Sequence, residues 1–191
     1  ATLDNWHASP LTGDLETGLS AWSREEIVDY LRSGRTARVA ALGIMSDVVG
    51  KSSQYLTDQD LMAIADYLKS LPPSRREREG REGRGRAAMG ATRPLRAGDS
   101  ETRGARIYMD NCAACHRSDG SGASRTFPRL VKNEAVHSKA PVSLIHIVLT
   151  GSAMPSTQTA PSAFAMPDFE WRLSDAEVAD VLSYIRGSWG N

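Results

Sequence analysis

The chain has 191 residues, 40% hydrophobic and 24% charged, which suits one ordinary domain or two small ones. Its 23 basic and 23 acidic residues balance, so no net charge favours binding to nucleic acid or to an anionic membrane. No apolar run approaches the ~20 residues that span a bilayer, and the polar start ATLDNWHASP has no signal-peptide core. If the protein is exported, its signal is expected to have been removed or to lie upstream.

The first part of the chain, residues 1–71, predicts two helices, near 23–33 and near 57–70. Met45 is predicted to lie in the loop between them. The apolar residues of the second helix recur at helical spacing and mark one buried face: Leu61, Ile64, Ala65 and Leu68.

The middle stretch, residues 72–103, is rich in glycine, arginine and glutamate and has almost no apolar periodicity. Such a composition predicts an exposed, flexible linker. Its arginines are an alternative docking strip for an acidic partner, although the interleaved glutamates weaken that interpretation.

The last part, residues 104–191, predicts helices near 104–115, 141–150 and 174–187. Its final two helices flank a methionine-bearing loop, so the plan of the first part is repeated. The predicted fold class is therefore all-α, with two helical units of similar plan. The first unit lacks the cysteine motif of the second and is expected to be incomplete: a truncated domain, a proteolytic remnant or a support without haem.

The sequence NCAACH contains the chain's only two cysteines, Cys112 and Cys115, followed at once by His116. Two thiols at this spacing can add across the two vinyl groups of a haem, while the histidine binds the iron. The motif thus predicts one covalently attached haem c.

The motif has three alternative uses. A zinc site is disfavoured because the remaining histidines, His7, His137 and His146, lack a paired spacing. A thioredoxin-like pair would need a preceding strand, whereas GARIYMDNCAACH predicts a helix. A simple disulfide leaves His116 without a role.

Haem iron takes a sixth ligand, and a methionine thioether would raise its potential and suit electron transfer. Met166, close to the last helix and followed by a proline, is favoured over the alternative Met154. Met109 and Met62 fall within predicted helices and are expected to pack, and Met89 belongs to the linker. His7 is a weaker alternative as an iron ligand.

These residues make the region 104–191 resemble the class I cytochromes c. Gly104 and Tyr108 resemble the small and aromatic residues by which the first helix of that family crosses the last. Pro128 stands where the family offers a backbone carbonyl to the haem-ligating histidine, which would fix the ring and raise its basicity.

A narrower resemblance rests on LTGDLETGLSAWSREEIVDYLRSGR, SSQYLTDQDLMAIADYLKSLPP, TAPSAFAMPDFEWRLSD and the ending SWGN. These stretches resemble the multihaem cytochrome c subunits of bacterial membrane-bound alcohol, gluconate and fructose dehydrogenases, which have three cytochrome c domains in series. The resemblance implies that the last domain is whole here and that Met45 is the axial position of the middle haem. That second haem is expected only if an upstream Cys-x-x-Cys-His exists.

The function implied is electron transfer, with no catalytic residue in this chain. Electrons would come from a catalytic dehydrogenase subunit of flavin, PQQ or molybdenum type and pass to a quinone or another cytochrome. The alternatives are a haem enzyme with an open sixth site and a docking or assembly unit. Covalent haem and paired thiols favour the periplasm or the periplasmic face of the inner membrane. Membrane association would require partners or a missing segment.

Overall fold

In the computed structural model, residues 2–3, 6–12, 18–72 and 102–191 are described. Most of the predicted linker therefore lies outside the described residues. The regular elements before it are β1 (Thr2–Leu3), β2 (Trp6–His7), α1 (Arg24–Ser33), α2 (Ile44–Lys51), a 3₁₀ turn at Ser53–Tyr55 and α3 (Asp58–Ser70).

The elements after the linker are also mostly helical. No helix in the described part of the chain is long and apolar enough to cross a membrane. The elements are α4 (Arg103–Asn111), α5 (Ala113–His116), α6 (Glu134–His137), α7 (Val142–Thr150), β3 (Ser152–Ala153), β4 (Ala165–Met166) and α8 (Asp175–Gly187).

The predicted helices agree with these bounds to within a residue, with two corrections. Met45 was predicted in a loop but lies in α2, a helix that begins after Gly43. The single helix predicted near 104–115 is interrupted at Cys112, whose backbone departs from regular helix geometry at φ −118°. The chain therefore turns within the cysteine motif itself.

The first half is held together by α1 packed on α3. Helix α1 begins with a capping box, in which Ser23 and Glu26 each accept from the other's backbone N–H. The apolar side chains that α1 and α3 bury against each other form one cluster: Ile27, Val28, Leu61 and Ala65. This face includes two of the four apolar positions predicted on α3.

The second half is built on the crossing of α4 and α8. A Cβ added to Gly104 would lie 2.2 Å from the carbonyl oxygen of Asp180, so only glycine permits this approach. Tyr108 is fully buried at the same crossing, with its ring centre 5.5 Å from that of Tyr184. Helix α5 begins directly after α4, so the crossing of α4 and α8 positions the cysteine motif.

Strands β3 and β4 pair antiparallel and form a hairpin that we call the methionine hairpin, residues 152–166. Its strands lie between α7 and the stretch leading to α8. The first half contacts this hairpin directly: the Gly43 N–H donates to Ser152 Oγ at 3.0 Å, and Ser46 Oγ donates to the Ala153 carbonyl at 2.9 Å. The first half of the chain therefore contacts the hairpin that contains Met154 and Met166.

Candidate functional site

Cys112 lies between α4 and α5 and Cys115 lies within α5, and both thiols are free. A disulfide is therefore not formed between them in this structure. Burial, together with the neighbouring Cys115 thiol, raises the pKa of Cys112 to about 11. Among the described residues, no group of three or more histidine, cysteine or acidic side chains could hold a metal ion.

His116 closes this turn with its ring held by a backbone carbonyl. Its Nδ1 lies 2.8 Å from the Pro128 carbonyl oxygen, the contact that the resemblance implied. With Nδ1 as the donor of this bond, Nε2 is left free to bind a metal. Burial lowers the pKa of His116, and the bond to the carbonyl partly opposes that shift.

The loop that supplies the carbonyl is tightly folded against the histidine. The Gly122 N–H donates to the His116 carbonyl at 3.0 Å. Gly122 has φ +62°, and a Cβ there would lie 2.3 Å from the Phe127 carbonyl oxygen. Tyr108 adds a bond from its hydroxyl to the Arg117 carbonyl at 2.6 Å. The backbone around His116 is therefore held by one residue that precedes it, Tyr108, and one that follows it, Gly122.

All the predicted site residues line one pocket. Its volume is about 330 Å³, and its walls are mostly apolar. The predicted residues found there are Cys112, Cys115, His116, Pro128, Met154, Met166 and Met45. Residues more than 100 positions apart in sequence are thus brought together on one cavity.

The two candidate methionines occupy different places on the hairpin. Met166 lies in β4, paired with Ser152, and is half-buried against the core of the second half. Met154 is 6% exposed, and its N–H donates to the Phe164 carbonyl at 2.9 Å. Both side chains reach the pocket, so its lining accommodates the favoured ligand and the alternative alike.

Several pocket residues come from the first half of the chain. Trp6 packs edge-on against His146 with ring centres 4.9 Å apart, and Tyr30 and Leu42 also line the cavity. His7 lies there too, and its N–H donates to Ser143 Oγ at 2.7 Å. No local pattern in the sequence indicates this wall of the pocket, because its contacts join residues far apart in the chain.

The fold and the pocket define a cytochrome c domain. The cytochrome c family model matches residues 101–189, and this part of the chain belongs to that family. The domain therefore carries covalently bound haem c.

Curated relatives match the whole of this chain. It is 45% identical over 192 residues to the gluconate 2-dehydrogenase cytochrome c subunit of Pantoea cypripedii. It is 44% identical over 191 residues to the cytochrome c subunit of alcohol dehydrogenase (quinone) of Gluconobacter oxydans, and 30% identical over 203 residues to the fructose dehydrogenase cytochrome subunit of Gluconobacter japonicus. The chain spans only 43%, 39% and 42% of these relatives, respectively.

The pocket chemistry fits haem c. Two free thiols lie within one turn of a histidine whose Nδ1 is occupied by a carbonyl, and methionine thioethers lie on the same cavity. The apolar walls suit a porphyrin ring, which is itself largely apolar. No residue of the motif is engaged in a way that would block attachment.

Proposed function

We propose that the chain is an electron-transfer component rather than a catalytic subunit. The observation that carries the proposal is the 2.8 Å contact between His116 Nδ1 and the Pro128 carbonyl. Because this contact engages Nδ1, Nε2 is the ring nitrogen that remains free to bind iron. His116 lines the same pocket as Met154 and Met166. This donor set belongs to electron transfer rather than to oxygen chemistry.

The residue roles in this proposal follow from the donor set. Cys112 and Cys115 would form the thioether links, and His116 Nε2 and the Met166 thioether would bind the iron. When bound, haem c supplies a one-electron ferric–ferrous couple. The Pro128 carbonyl orients the imidazole and increases its basicity, and the apolar walls keep water from the site.

The chain's larger organisation is also a proposal. We infer an incomplete cytochrome c-like unit at 1–71, a linker at 72–103 and the haem domain at 104–191. The repeated order of helix, methionine and helix supports this division. A second haem would lie near Met45 only where an upstream Cys-x-x-Cys-His completes the first unit.

The partner and compartment follow from the relatives' names and from the chemistry. We propose a catalytic dehydrogenase subunit of flavin, PQQ or molybdenum type as the electron donor, and a quinone or another cytochrome as the acceptor. Gluconate, alcohol and fructose dehydrogenases are the assemblies named for the relatives. Covalent haem attachment supports a periplasmic location, at or near the periplasmic face of the inner membrane.

Carbon monoxide binding tests the proposal against an enzyme with an open sixth site. The ferrous protein, reduced with dithionite, is exposed to carbon monoxide while its visible spectrum is recorded. A methionine-ligated centre is expected to keep its low-spin spectrum and to titrate reversibly in a potentiometric experiment. Rapid, complete binding of carbon monoxide by the intact protein would contradict electron transfer as the primary function.

A further inference from the structure

The methionine hairpin is held from the first half of the chain by one buried arginine. Arg35 is only 4% exposed, although it belongs to a residue type that is seldom buried. Three hairpin carbonyl oxygens surround its Nη2, those of Ser162 at 2.7 Å, Pro155 at 3.2 Å and Ala160 at 3.4 Å. The guanidinium therefore fills the inside of the hairpin's turn.

The polar contacts of Arg35 Nη2 are to these carbonyls and not to a carboxylate. In the part of the chain that the structure describes, no acidic side chain lies within ion-pair distance of it. The guanidinium carbon also lies 5.7 Å from the centre of the Phe164 ring. A buried charge without hydrogen bonds is costly, so the carbonyls must stay in place around it. The shape of the turn is thereby tied to the first half of the chain.

Further contacts from the first half follow the same hairpin. Gly34 has φ +72°, and a Cβ there would lie 2.3 Å from Pro155 Cγ, so the end of α1 sits directly on the hairpin. Gln54 Oε1 accepts from the Gln158 N–H at 3.1 Å, and Ser46 Oγ donates to the Ala153 carbonyl. Arg35 is therefore the buried residue in a series of contacts between the first half of the chain and the hairpin.

The turn that Arg35 occupies is continuous with the strand that holds Met166. Ala153 pairs with Ala165, and Ser152 pairs with Met166 itself. We propose that Arg35 is a positioning residue that keeps the hairpin in the geometry presenting Met166 to the pocket. The inference rests on the proposed role of Met166 as an iron ligand.

The test measures how easily an external ligand displaces the methionine. Ferric holoprotein is titrated with imidazole by absorbance, in the full chain, for wild type, Arg35→Met, Arg35→Lys and the control Arg32→Met. Arg32 lies three residues earlier, in the last turn of α1, and pairs with Asp58. Loss of the charged hydrogen bonds is expected to tighten imidazole binding about tenfold in Arg35→Met. Arg35→Lys, which keeps a charged donor, is expected to recover at least half of that change on a logarithmic scale.

A second readout separates positioning from general stability. The shifted methyl resonance of a bound methionine in the ferrous NMR spectrum is expected to broaden or move in Arg35→Met and to be unchanged in Arg32→Met. If Arg35→Met fails to fold, Ser46→Ala tests a second hydrogen bond between the first half and the hairpin, with an expected effect of about threefold from one lost neutral hydrogen bond.

The outcomes distinguish the two proposals. A wild-type protein without a methionine resonance overturns the proposed function and this inference with it. A methionine-ligated wild type, beside an Arg35→Met protein with unchanged imidazole affinity and resonance, overturns the inference alone. An equal change in Arg32→Met would also overturn it, because the effect would then not depend on the hairpin contact.

Discussion

At the scale of single residues, the site depends on one histidine whose geometry is fixed by backbone groups. The Pro128 carbonyl engages Nδ1, and the Gly122 N–H engages the His116 carbonyl. Backbone groups cannot be removed by side-chain substitution, so the ring orientation resists most single mutations. The proposed second ligand, Met166, is different, because it is a side chain with a nearby alternative in Met154.

Replacing each methionine separately tests which thioether is the ligand. Met166→Ala is expected to lower the reduction potential and to open the ferrous protein to carbon monoxide, because thioether ligation raises the potential and closes the sixth site. Met154→Ala is expected to keep both properties while costing about 2–3 kcal/mol of stability, since a buried side chain leaves a cavity. Potentiometry and carbon monoxide binding are the measurements, and the reverse pattern would assign the ligand to Met154.

At the scale of secondary structure, the crossing of α4 and α8 positions the cysteine motif. Gly104 lets the helix backbones meet, while Tyr108, Tyr184 and Trp189 pack around the contact. The first turn of α8 is stabilised by a capping box between Ser174 and Glu177. These two features lead to separate expectations for stability.

Gly104→Ala is expected to destabilise the holoprotein by about 1–3 kcal/mol, because its Cβ would overlap the Asp180 carbonyl oxygen. Gly187→Ala is the matched control, since a Cβ at this α8 glycine meets nothing within 4 Å. Denaturant unfolding followed by far-UV circular dichroism measures both variants. Equal stabilities for the two variants would show that the helices can separate without cost.

The α8 cap predicts a pH dependence. Hydrogen bonds to the Ser174 backbone and side chain, and then to Arg103, lower the pKa of Glu177. Its ionised form is therefore favoured in the folded state, so the cap stabilises the fold above the ordinary glutamate pKa and loses this effect as pH falls through the lowered value.

Glu177→Gln is accordingly expected to lower stability at neutral pH and to reduce the acid dependence of thermal unfolding. Glu170→Gln, at an exposed position outside the cap, is the control and is expected to keep the wild-type profile. If the thermal stabilities of wild type and Glu177→Gln fell in parallel as the pH is lowered, protonation of Glu177 would not affect the cap.

At the scale of the whole molecule, the first half of the chain contributes to the pocket of the second. Trp6, Tyr30 and Met45 line the same cavity as His116. In addition, Nη1 of Arg38 in the first half lies 3.8 Å from Oε1 of Glu134 on α6. The haem domain in this chain is therefore not structurally independent of what precedes it.

The sequence predicted the local features well, because helices α1, α3, α7 and α8 have caps and apolar spacing that act over a few residues. The cysteine motif, Pro128 and Gly104 were found through motif and family resemblance. The pocket wall from the first half was not predicted, since it depends on contacts between residues separated by more than 100 positions. The break at Cys112 and the helix around Met45 lack strong local signals, which explains both corrections.

The measurement that most directly tests the central claim is the number of covalent haems per chain. Intact mass under denaturing conditions is compared with the pyridine haemochrome spectrum, for wild type and for the Cys112→Ala, Cys115→Ala double variant. We expect one covalent haem in the wild type and none in the double variant. A wild-type chain without covalent haem, or a double variant that retains it, would contradict the assignment of the haem site to these cysteines.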